Sequence, residues 1–161
     1  MNTWSKALRR AIPIAALTSI TTALAAMFCG WRENHNAVAP LNAISHIAWG
    51  EEAARQEQAS AKYTATGLAL NTSAMFGWAF IFARLVGGKS SNRVVSSLGG
   101  GIFVSLLAYV VDYHVVPKRL TPGVEDRLSS RSLLVLYVVL ALSLALGGLV
   151  TRDTTQDDSA A

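Results

Sequence analysis

Apolar and charged residues are distributed along this chain in long blocks. Four runs contain no charged side chain: 11–31, 63–83, 94–111 and 132–151. A helix rising 1.5 Å per residue needs roughly 20 apolar residues to cross the hydrocarbon of a bilayer, and an uncharged run of about 18 or more is the signature of such a span. The pattern predicts an all-α integral membrane protein with four transmembrane helices, over about 11–31, 63–83, 94–116 and 132–151. A fifth uncharged stretch, 34–50, holds three Asn, two His and Pro40 and is too polar to span. Starting at Pro40, a residue favoured in the first helical turn, Leu41, Ile44 and Ala48 fall on one face and Asn42, Ser45, His46 and Trp49 on the other. That sorting predicts a short amphipathic interfacial or re-entrant helix over 40–50, closed by Gly50.

Composition agrees with this layout. Of 161 residues, 52% are hydrophobic and only 15% are charged, against about 25% charged in a soluble domain, which excludes a soluble globular fold. The net charge of +4 comes from Lys and Arg flanking the apolar runs, as topology and anionic headgroups require. No basic stripe with interleaved aromatics is present, so the implied partner is the lipid bilayer and not nucleic acid. The basic start before residue 11 resembles a secretory signal peptide. Its apolar stretch, however, exceeds the ~7–15 residues of a signal core, and Trp4 and Trp31 bracket it like interfacial anchors. A retained helix is expected, with cleavage near Ala25 or Ala26 as the alternative.

Four spans place both termini on one side and the connections 32–62 and 112–131 on the other. Lys and Arg divide equally between the sides, seven and seven. Lys6, Arg9 and Arg10 precede the first helix and only Arg32 follows it closely, so the termini are expected in the cytoplasm. The tail 153–161, with Asp153, Asp157, Asp158 and small residues, is expected to be disordered. The single cysteine, Cys29, allows no internal disulfide.

The second run is the most polar, with Thr64, Thr66, Asn71, Thr72 and Ser73. An amide at mid-span is costly without a partner, so Asn71 is expected to hydrogen-bond another helix. In the third run Ser97, Gly101 and Ser105 recur at four-residue spacing, the pattern of small residues that lets helices approach closely. The fourth run reads as a plain apolar span. Pro117 is expected to end the third helix at or before Val116, and Thr121-Pro122-Gly123 has the order of a type II turn.

Topology places His35, His46, His114, Asp112 and Cys29 at one membrane face. Imidazoles and a carboxylate gathered there are candidate ligands for zinc or copper, or a pH-sensitive cluster. The order expected is His46 beside Asp112, His114 near them and His35 outermost; the competing reading has His46 hydrogen-bonded within the bundle. No HExxH, GxSxG, Walker loop or CxxC occurs, so neither an enzyme nor a cofactor is expected. The leading expectation is a non-enzymatic role in assembly, partnering or envelope maintenance, as a homo-oligomer or with another membrane protein. The alternative is a small permease or a metal- or proton-handling protein.

The stretches Pro40-Leu-Asn-Ala-x-Ser-His-x-x-Trp-Gly50 and Asp112-Tyr-x-x-x-Pro-Lys-Arg-Leu-Thr-Pro-Gly-x-Glu125 resemble stretches in a group of small, uncharacterised bacterial inner-membrane proteins. The resemblance covers both outer segments and loosely the spans between. It implies a four-span protein of the bacterial cytoplasmic membrane and assigns no residue a role.

Overall fold

The computed structural model describes residues 3–86 and 92–157, with side chains of 152–157 excepted. Among the described residues there are helices and turns and no strands. Helix α1 spans Thr3–Asn34. Three short helices follow, α2 (Ala39–Ile44), α3 (His46–Trp49) and α4 (Glu51–Ala54). Helices α5 (Tyr63–Val86), α6 (Arg93–Val110) and α7 (Ser130–Asp157) complete the chain. Four helices, with α6 taken on to Val115, are long and apolar enough to cross a membrane.

The helices overrun the uncharged runs that predict them. α1 begins at Thr3 because Lys6, Arg9 and Arg10 are good helix formers; a charge marks the edge of an apolar run without ending a helix. α7 likewise continues to Asp157, and 158–161 of the expected tail lie outside the described residues.

α1 packs against both α5 and α7, and α6 packs against α7. At the end where the termini lie, Ile14, Phe82, Val104 and Leu144 are fully buried in one apolar cluster. Small residues set the spacing of α6 and α7: a Cβ built on Gly101 would lie 2.4 Å from the Ala141 carbonyl oxygen. One turn along, Ser105 Oγ donates to the Tyr137 carbonyl at 2.6 Å. Ser97 on the same face is fully buried. α1 and α5 are joined by side chains, with Asn71 Nδ2 donating to Ser19 O at 3.1 Å and Ser19 Oγ within 2.8 Å of Thr72 Oγ1.

At the opposite end the segment after α1 folds inward as a plug. Sequence spacing sorted 40–50 into two faces of one helix, yet Ala39 to His46 are all buried, and α2 and α3 are separate turns meeting at Ser45. Both faces are covered because α2 lies between α1, α5 and the turn Val124–Asp126. Two glycines permit this: a Cβ on Gly67 would sit 1.9 Å from the Leu41 carbonyl oxygen, and one on Gly30 2.5 Å from Pro40 Cγ.

Asn42 anchors the plug. Its Nδ2 donates to the carbonyls of Gln56 and Gln58, both at 3.0 Å, and its Oδ1 accepts from Thr64 Oγ1 at 2.7 Å. Asn42→Ala strands these groups in a buried setting and is expected to cost about 2–3 kcal/mol. Thermal melting in detergent checks this; an unchanged melting temperature contradicts it.

Candidate functional site

Beneath the plug is a mainly apolar cavity of about 80 Å³. Leu41, Ile44, Pro122 and Val124 line it from the plug side, and Met75, Leu136 and Leu140 line it from the long helices. α6 and its extension contribute one lining residue, Asp112. The backbone explains how a carboxylate arrives there. α6 loosens from an α-helix into a π-helical turn over Val111–Val115, and Val116 is extended (φ −76°, ψ 147°) before Pro117. A π-turn inserts one residue per turn and rotates the side chains that follow it.

Asp112 Oδ2 accepts from the Tyr137 hydroxyl at 2.8 Å. Among the described residues, no Lys, Arg or His makes an ion pair with Asp112, and Oδ1 receives no hydrogen bond. Tyr137 belongs to a group of aromatic rings with Tyr109 and Tyr113, whose centroids lie 5.4–6.2 Å apart. The Tyr113 hydroxyl donates to Glu125 Oε2 at 3.3 Å, tying the π-turn to the loop that closes the plug. Thr22 and Asn71 supply the deeper polar groups of the cavity, with Thr22 Oγ1 donating to Asn71 Oδ1 at 3.4 Å.

The candidate metal ligands have separate surroundings. His46 is buried, its Nδ1 2.9 Å from the Ala43 carbonyl oxygen. Gly123 closes over it with φ 77° and ψ −11°, the third-position geometry of a type II turn, and a Cβ there would lie 2.5 Å from His46 Nδ1. The His114 ring lies 5.6 Å from that of Tyr109. His35 is exposed at the end of α1 with φ 52°. Cys29 is buried in the apolar cluster under the plug. Among the described residues, no three of His, Cys, Asp and Glu are arranged to hold a metal ion. Their shared membrane face, expected from topology, does not bring them into one site.

The histidines carried the sequence reading, whereas the cavity is built around Asp112 and Tyr137. Tyr137 had a sequence signal: it is the one aromatic residue in the fourth uncharged run, and a tyrosine hydroxyl amid aliphatic residues requires a partner.

The rim of the plug is polar and tightly bonded. The Glu33 carboxylate accepts from the Ser129 amide at 2.8 Å and from Ser132 Oγ at 2.6 Å, capping the start of α7, where a negative charge complements the helix dipole. Arg127 Nε donates to Ala54 O at 2.6 Å, and its guanidinium lies 3.6 Å from Glu57. Lys62 lies 5.1 Å over the Trp49 ring, and its hydrogen bond to the Tyr63 hydroxyl holds the ammonium above its ordinary pKa.

No protein-family model, curated protein or solved structure matches this chain.

Proposed function

We propose that the chain is a non-enzymatic integral protein of a bacterial cytoplasmic membrane, with its termini in the cytoplasm, and that its role is one of assembly through self-association of α5 within the bilayer. The observation that carries this is a contrast between outward faces. α1 presents Ile20, Leu24 and Phe28, α6 presents Ile102, Phe103 and Leu106, and α7 presents Val138, Leu142 and Leu146. α5 exposes Leu68 and Phe76 as well, but beside them it carries an exposed stripe of Ala65, Ala69, Ser73 and Gly77 at four-residue spacing, and a Cβ on Gly77 would meet nothing within 4 Å.

Large aliphatic side chains suit contact with acyl chains. Small residues at this spacing suit close contact with another helix, because backbones approach and dispersion and weak hydrogen bonds replace the lipid. A groove of small residues beside Leu68 and Phe76 is complementary to itself, because the large side chains of a second copy can lie along the small stripe of the first. The bacterial assignment rests on the resemblance of the two outer stretches, which pack together as the plug. The orientation rests on Lys6, Arg9 and Arg10 before the first span.

Disulfide trapping tests the association. Cys29 is buried and is the chain's one cysteine, so Ser73→Cys introduces an accessible thiol. Oxidation of membranes holding Ser73→Cys is expected to give a covalent dimer, and adding Gly77→Leu is expected to reduce its yield at least about tenfold, a ~1.4 kcal/mol loss of association. Equal trapping from Leu142→Cys on the outward face of α7 contradicts the assignment to α5.

A further inference from the structure

We propose that the cavity beneath the plug binds the primary ammonium headgroup of a phosphatidylethanolamine-type lipid, with Asp112 as its anion. This rests on the reading that the four long helices cross a bilayer, and is independent of self-association. Three observations lead to it.

The first is charge. A half-buried carboxylate facing apolar surface is costly unless a cation or further hydrogen bonds compensate it. Tyr137 satisfies Oδ2 alone, and no described basic side chain pairs with Asp112. Nearby, Glu125 is held by Tyr113, which adds negative potential at the same end. The group that complements Oδ1 is a cation that donates hydrogen bonds to it. A primary ammonium donates three, whereas a quaternary ammonium donates none.

The second is size. Sites that enclose whole small molecules measure roughly 300–1,000 Å³, well above the 80 Å³ here. Only one end of a ligand fits, so the remainder lies outside the cavity. On the α6 side Asp112 alone lines it, and that side is taken as the one the lipid approaches.

The third is depth. Asp112 lies three residues before Val115, where the third span ends, at most about 4.5 Å along the axis, since a π-turn rises less per residue than an α-helix. That is the level of lipid headgroups, while Met75 and Leu140 extend the apolar lining deeper.

Native mass spectrometry of the purified full chain tests this with phosphatidylethanolamine, phosphatidylcholine and phosphatidylglycerol of identical acyl chains. The expected result is one retained phosphatidylethanolamine per chain, at least tenfold over the other two. Dodecylamine, which carries the ammonium without the phosphate, is expected to compete for the same place; failure to compete shows that the phosphate is recognised and overturns Asp112 as the anchor. Asp112→Asn keeps an acceptor for Tyr137 and is expected to lose the preference, whereas Tyr137→Phe keeps the carboxylate and is expected to retain it. Equal retention of all three lipids by the unaltered chain overturns the proposal without recourse to any variant, and is the outcome if Asp112 is merely protonated. Failure of the chain to enter membranes at all overturns the spanning reading instead, and extraction by alkaline carbonate separates the two failures.

Discussion

Gly101→Leu is expected to leave little folded protein, whereas Gly99→Leu, two residues away on the same helix, is expected to accumulate and melt like the parent. Both replace glycine by leucine within α6, so helix propensity and bulk are matched. The surroundings differ. A Cβ on Gly101 would lie 2.4 Å from the Ala141 carbonyl and 3.3 Å from the Ala145 amide, both backbone atoms of α7. Backbone cannot rotate away as a side chain can, so α6 and α7 must separate, with loss of the hydrogen bond from Ser105 to Tyr137 O. Overpacking costs about 1–3 kcal/mol where neighbours can shift, and a rigid helix on the far side puts this variant at the top of that range or above it. A Cβ on Gly99 meets nothing within 4 Å. Yield and melting temperature in mild detergent check the pair; equal values remove the small-residue contact from the account.

Gly67→Ala is expected to detach the plug. Addition of a single methyl group suffices, because its carbon would sit 1.9 Å from the Leu41 carbonyl oxygen and 2.9 Å from its carbon. α5 itself gains about 1 kcal/mol in propensity from alanine over glycine, so an isolated helix would be stabilised and the observed sign is decided by the plug. A net loss of about 2–3 kcal/mol is expected, together with faster proteolysis between residues 50 and 62. Gly99→Ala on α6, with open space around it, is the control, expected to be neutral or slightly stabilising. Stabilisation of Gly67→Ala to the same degree would show that α2 does not lie where the structure puts it.

The long helices were legible because exclusion of charge from apolar surroundings is a local property, readable run by run. Their ends were less legible: Lys6 and Arg10 interrupt an apolar run but extend a helix. The plug was half legible. Pro40 and Gly50 marked its limits, and the face holding Asn42 and His46 was expected to pack against other helices, but helical spacing does not say against what. Asn42 is surrounded by the carbonyls of Gln56 and Gln58 and the hydroxyl of Thr64, partners 14 to 22 residues away that no helical spacing connects. The turn residues Pro122 and Gly123 were recognised for their backbone geometry, while the use of that turn, closing over His46, is tertiary. The same holds for Asp112, whose partner Tyr137 is the one aromatic residue of a mainly aliphatic span: the hydroxyl signals a partner without saying which. Metal-ligating residue types drew the reading toward the histidines; what the fold assembled was a carboxylate, a phenol and an apolar cavity.

Everything proposed depends on four crossings, with both termini at one face and the plug at the other. Labelling with a membrane-impermeant maleimide tests that layout most directly, using single cysteines at Thr3, Gln58, Asn92 and Lys118 in a Cys29→Ala background. With the termini in the cytoplasm, Gln58→Cys and Lys118→Cys are expected to react in intact spheroplasts, and Thr3→Cys and Asn92→Cys only after lysis. Gln58→Cys and Lys118→Cys falling into different classes would contradict the four-span account.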